Sequence, residues 1–194
     1  MRLWRVVQRL IIVSGDGQPS TVLDFSRDHF TLFGLPTSYA LDGARLDQAY
    51  RDVQARIHPD KFVHAGAAEQ RLSMQWATRV NEAYQTLRRP FDRANYLLQL
   101  QGIQAMDSSV MPMDFLERHM DWSEELAQAR GERDVAALER LEQALRGEAR
   151  AYQSRLTEEI DQRHDYPVAA ETLRKLRFTD KLLAEVGAAY EELL

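Results

Sequence analysis

The chain of 194 residues contains no cysteine. Disulfides are therefore excluded, as are thiolate zinc sites and direct thiolate ligation of a metal cluster. Glycine and proline are scarce, at nine and six residues. Alternating apolar and polar runs of useful length are missing as well, so the pattern predicts an all-α protein. Positive charge is in deficit: 25 Lys and Arg face 30 Asp and Glu, for a net charge of −5. Phosphate contacts need a basic surface, so general nucleic-acid binding is not expected. Long hydrophobic runs are absent too. The apolar run from Leu10 to Val13 is far too short to span a bilayer, and no membrane role is expected. What remains is 44% hydrophobic and 28% charged, as in a well-cored soluble helical protein.

One tripeptide stands out, His58-Pro59-Asp60, followed by Lys61-Phe62. Before it, Leu46, Ala49, Tyr50, Val53 and Ile57 recur at helical spacing. Pro59 disfavours the α conformation at His58, which predicts a helix stop there. It also fixes its own φ and donates no backbone hydrogen bond. The expected result is a stiff, exposed corner carrying an imidazole and a carboxylate. Such a corner loses little entropy on docking, and Asp60 suits the arginine fork of a partner. Alone, the tripeptide reads better as an ordinary turn. Its place between two matched helices argues otherwise.

The second stripe is Leu72, Trp76, Val80, Ala83, Tyr84 and Leu87, ending near Arg88-Arg89-Pro90, where proline stops the run. The two stripes predict an antiparallel hairpin with the corner at one tip. Phe30, Leu32, Phe33 and Leu35 form an apolar cluster suited to cap it. Asp42 is a fitting N-cap for the first of the two helices. His29 and His64 belong to no cluster and are expected at the surface.

The stretch from Phe30 to Gly102 resembles the J-domain of the HscB family, the iron–sulfur cluster co-chaperones. The matching strings are Phe30-Thr31-Leu32-Phe33-Gly34-Leu35-Pro36, His58-Pro59-Asp60-Lys61-Phe62, Asn81-Glu82-Ala83-Tyr84-Gln85-Thr86-Leu87 and Arg93-Ala94-Asn95-Tyr96-Leu97-Leu98. The tripeptide alone marks any J-domain; the longer later strings are more specific. Leu173-Arg174-Lys175-Leu176-Arg177-Phe178 resembles the last helix of the family.

The domain reading follows. Residues 1–27 stand apart as an N-terminal extension: Arg2, Arg5 and Arg9 are not balanced by acid up to Val13, and Ser14 to Ser20 reads as a flexible link. An extension upstream of the true start, or a disordered tail, is favoured over a mitochondrial presequence. Residues 28–102 make the J-domain, 103–113 a linker with Pro112 near the next helix start, and 114–194 a three-helix bundle. The first bundle helix is expected from about Asp114 to Ala129. The second carries Leu138, Leu141, Leu145, Ala149, Tyr152, Leu156 and Ile160 at heptad-like spacing. Asp165-Tyr166-Pro167 is expected to break the chain. The third helix carries Leu173, Leu176, Leu183, Val186, Tyr190 and Leu193. In the family the two domains form an L shape, which spacing does not show.

The resemblance implies two binding surfaces and no catalytic centre, metal or cofactor. The first faces an HscA-type Hsp70 chaperone, whose ATPase the His58-Pro59-Asp60 loop stimulates. Arg45, Arg56 and Lys61 are expected as electrostatic helpers, with Arg51 turned away from the edge shared by Arg45 and Arg56. The second holds an IscU-type iron–sulfur scaffold through Leu116, Met120, Asp121, Glu124 and Phe178. Relatives can have an apolar residue where this chain has Glu117. The apolar members of that set read equally well as core, although methionine suits adaptable interfaces. A bacterial, cytoplasmic location is implied, with the mitochondrial matrix as the alternative. Two other functions stay open. One is a general J-protein without an iron–sulfur role, against which stands the lack of a Gly/Phe-rich linker and cysteine repeats. The other is a helical metal-dependent phosphohydrolase using His119, His164-Asp165 and Asp180.

Overall fold

Proline decides where several helices begin. In the computed structural model, which describes residues 28–63, 66–108 and 110–193, seven α-helices follow one another and no strand occurs among the described residues. The extension at residues 1–27 and the loop residues His64 and Ala65 lie outside the described residues. The helices are α1 His29–Phe33, α2 Gly43–Ile57, α3 Ala67–Arg88, α4 Pro90–Leu100, α5 Met113–Glu132, α6 Val135–Thr157 and α7 Tyr166–Leu193. Pro90 does end α3, as its spacing predicts, by holding Arg89 extended at φ −88°, ψ 121°. It then opens α4 at a position where its missing N–H is no loss. Pro112 is the N-cap of α5. The expected break is present but falls at residues 163–165: Tyr166 and Pro167 already belong to the first turn of α7, and Asp165 caps that turn by accepting from the Val168 N–H at 3.3 Å.

The chain divides into two compact units, one running up to Arg93 and the other Ala94–Leu194. The division falls within α4. In the first unit α2 and α3 form the hairpin, with Leu46, Val53 and Ile57 buried on one helix and Trp76, Val80, Ala83 and Leu87 on the other. Helix α1 packs on both. Asp28 starts it, accepting from the Thr31 N–H at 2.9 Å and the Thr31 hydroxyl at 2.6 Å. Gly34 ends it at φ 64°, a conformation that costs a residue without Cβ nothing. His29 is the second correction. It is buried, and that burial, followed by the positive charge of Arg79, lowers its pKa. Asp42 caps α2 through the Ala44 N–H at 2.9 Å.

The second unit holds the bundle of α5, α6 and α7. Its core is Leu126 and Ala129 from α5, Leu138, Leu141 and Leu145 from α6, and Leu182, Val186 and Ala189 from α7. The α6 stripe is buried as spaced. On α7, Leu182 takes the buried place expected of Leu183, which is only partly covered together with Tyr190 and Leu193. Helix α5 ends on Arg133, a non-glycine residue at φ 57° whose N–H caps the Ala129 and Arg130 carbonyls. After α6 the chain widens into a π-helical turn, Glu158–Gln162.

That turn buries Glu159, whose carboxylate accepts from the Thr172 hydroxyl at 3.1 Å. Burial raises its pKa, and the hydrogen bond from Thr172 opposes the rise only in part. A raised carboxyl stabilises the fold while protonated and loses that contribution as pH climbs through its folded value. Glu159→Gln is therefore expected to raise the melting temperature over wild type. The gap should widen from about pH 4 to about pH 7 in calorimetry; a gap that narrows over that range contradicts it.

Candidate functional site

The hairpin tip is built by the clash that ends α2. His58 has φ −54° and ψ 129°, outside the helix, and the Lys61 N–H donates to its carbonyl at 3.0 Å. Residues Pro59–Phe62 form one 3₁₀ turn, which packs on α3. Above it the His58 side chain is 50% exposed and that of Asp60 84%. The Asp60 N–H donates to His58 Nδ1 at 3.3 Å, and the Asp60 carboxylate lies 3.5 Å from the same nitrogen. The corner thus holds an imidazole and a carboxylate side by side on a short, closed turn.

A shallow groove of about 380 Å³ adjoins the corner, lined by Arg51, Gln54, Ala55, His58, Asp60 and Lys61. Of the four cations, Lys61 and Arg51 line this groove and Arg45 and Arg56 do not. Arg51 precedes His58 by about two helical turns, which places it near the corner.

The hairpin is held in register by aromatic and polar contacts between its helices. Tyr50 stacks on Tyr84 with centroids 4.2 Å apart. The Tyr50 hydroxyl donates to Asn81 Oδ1 at 2.6 Å, and the Tyr84 hydroxyl to Asp47 Oδ1 at 2.8 Å. The hydrogen bond to Asp47, more than burial, raises the Tyr84 pKa. Arg93 Nε donates to the Tyr39 carbonyl at 2.8 Å and Nη1 to the Leu87 carbonyl at 2.6 Å, while the guanidinium lies over the Tyr39 ring. Asn81, Tyr84 and Arg93, members of the later strings, are thus the residues that fasten the hairpin.

In the second unit, Leu116 is 37% exposed, Met120 62% and Phe178 39%, which rules out the core reading for all three. Asp121, Glu124 and Glu117 are exposed on the same helix. Phe178 packs edge-on against Phe115 at 6.0 Å and His119 at 5.6 Å, which joins α7 to α5. Leu116 and Met120 are the outward neighbours of those two rings along α5. Exposed Met113 precedes them at three- and seven-residue steps, so the apolar stripe is one residue longer than the sequence reading had it.

The four phosphohydrolase candidates are not gathered. His119 lies between two phenylalanines, and His164, at φ 53°, faces the Ile160 carbonyl through Nδ1 at 2.8 Å. Among the described residues, no three His, Cys, Asp or Glu side chains are grouped to hold a metal ion.

Residues 111–187 match the family model described as the HSCB C-terminal oligomerisation domain. The chain is 43% identical over 173 residues to the co-chaperone protein HscB homolog of Aromatoleum aromaticum, covering 88% of this chain and 98% of that one. The chain belongs to the HscB co-chaperone family. Solved HscB structures agree. Chaperone HscB from Vibrio cholerae superposes with a TM-score of 0.76 at 37% identity, covering 87% of this chain and all, 100%, of that one. Human co-chaperone protein HscB gives 0.78 at 30% identity, covering 85% and 83%. The all-α architecture of a J-type hairpin followed by a helical bundle is therefore the HscB fold. Among the described residues no helix is long and apolar enough to cross a membrane.

If the Tyr50–Tyr84 pairing fastens the HscB hairpin, Tyr84→Phe, which keeps the stack and loses the bond to Asp47, is expected to cost about 1 kcal/mol in urea unfolding. A loss below about 0.3 kcal/mol would show the bond contributes nothing to the hairpin.

Proposed function

We propose that this co-chaperone serves iron–sulfur protein maturation by binding an IscU-type scaffold and delivering it to an HscA-type chaperone, whose ATPase it stimulates. The exposed, turn-locked His58–Asp60 corner carries the chaperone half of this reading. Its turn is anchored on α3 from below, so docking orders few additional groups. Asp60 offers its carboxylate to a cation of the chaperone, and Arg51 and Lys61 flank it with positive charge that speeds association. Docking acts by favouring the hydrolysis-competent state of the chaperone over its resting state, since only differential binding shifts that balance. Hydrolysis itself belongs to the chaperone. The stripe Met113, Leu116 and Met120, with Phe178 beside it and Asp121 and Glu124 at its margin, supports the scaffold half. The domain assignment 28–102, 103–113 and 114–194 and a cytoplasmic location in a bacterial cell belong to the same proposal.

Two measurements test it. His58→Gln is expected to keep the helical spectrum and the scaffold affinity while abolishing stimulation of HscA-type ATPase; full stimulation by that variant removes the chaperone half. Leu116→Ala and Phe178→Ala are each expected to weaken scaffold binding about ten-fold or more in titration calorimetry, with unfolding midpoints close to wild type. Unchanged affinity in both removes the scaffold half.

A further inference from the structure

Phe178 has a second neighbourhood besides Phe115 and His119. On its other side a groove of about 530 Å³ is lined by Met106, Ser108, Arg174, Arg177, Phe178 and Lys181. Its floor is one face of α7, since 174, 177, 178 and 181 recur at helical steps. The facing wall is the segment that precedes α5. Three cations therefore converge beside one exposed aromatic ring, in a chain whose net charge is −5.

The three cations differ in their commitments. Arg174 donates from Nη1 to the Ala105 carbonyl at 3.1 Å, while its Nε is buried without a hydrogen-bond partner. Its guanidinium is thereby fixed at the groove and incompletely satisfied. Arg177 is exposed and has no ion-pair partner among the described residues. Lys181 reaches Glu185 at 3.8 Å, an exposed pair of the kind that contributes little and is readily exchanged.

We propose that this groove receives a carboxylate-bearing segment of the protein that docks on the Met113–Leu116–Met120 stripe. The proposal rests on the scaffold reading of that stripe and of Phe178. The charge layout carries it. Along α5 the acids Asp121 and Glu124 are exposed next to and beyond Met120, and on α7 Arg177 and Lys181 line the groove, with exposed Asp180 between them in the chain. A partner that covers both the stripe and Phe178 meets the acids of α5 and the cations of the groove. Only a partner with acid facing α7 and base facing α5 satisfies both, and a partner turned end for end meets like charge twice. The groove thereby fixes the orientation of the docked scaffold. Its apolar lining, Met106 and Phe178, fits the methylenes of an Asp or Glu side chain better than a bare inorganic anion.

The test uses the full chain, titrated calorimetrically with a cluster-free IscU-type scaffold at two salt concentrations. The Arg177→Glu, Lys181→Glu double variant is expected to bind about ten-fold more weakly at low salt, with a shallower salt dependence and an unchanged melting temperature. Arg177→Gln with Lys181→Gln should fall between it and wild type, and serves if the reversal fails to fold. If Phe178→Ala weakens binding and neither charge variant does, the groove proposal is overturned and the scaffold reading stands. If Phe178→Ala, Leu116→Ala and both charge variants all bind as wild type, both fall together. Inorganic phosphate is titrated alongside. Saturable phosphate binding lost in the reversal, with scaffold affinity unchanged, assigns the groove to a small anion and overturns the proposal.

Discussion

Pro59 denies His58 the helical conformation, and the first unit is arranged around that denial. The clash ends α2 at Ile57 and swings the chain into a single 3₁₀ turn. An imidazole and a carboxylate are thereby held side by side on the outside of a closed loop. Without the proline, α2 has no local reason to stop, and His58 becomes one more residue on a helix face. The same steric rule acts again at Arg89-Pro90, where it separates α3 from α4.

A rigid corner is useful only if its base does not move. The base is the hairpin, and its register is set less by interchangeable leucines than by a few directional contacts. Tyr50 against Tyr84, with hydroxyls to Asn81 and Asp47, ties α2 to α3 at one level. Hydrocarbon contacts tolerate sliding by a fraction of a turn; short hydrogen bonds between fixed side chains do not. Arg93 adds a clamp by taking carbonyls from the loop before α2 and from the end of α3. In the bundle, by contrast, the work is divided. Leucines of α6 fill the interior, and the surface at Phe178 sets Arg177 and Lys181 beside its ring.

Much of this was legible in the residues. The hairpin stripes, the Asp42 cap, the stop at His58 and the whole α6 stripe follow from periodicity and local sterics, and the structure has them. The misses have specific causes. His29 belongs to no cluster in the sequence, which suggests the surface; its burial on α1, which packs on α3, is a tertiary matter. Leu182 and Leu183 are adjacent, and either fits a three- or four-residue step, so only the packing of α6 selects between them. The break before α7 lies two residues earlier than expected, because a proline in the first turn is a good helix opener.

Sequence alone determined an all-helical chain, the position of the corner and the chemistry it carries, because each depends on interactions within a few residues. Tertiary structure decided the rest. It left Leu116, Met120 and Phe178 at the surface rather than in the core, brought Phe178 against Phe115 and His119, and gathered Arg174, Arg177 and Lys181 opposite Met106. The physical reason is that an apolar residue on a helix is equally content against a core or a partner. Which one it meets is set by the crossing of three helices, and that crossing depends on contacts between residues far apart in the chain.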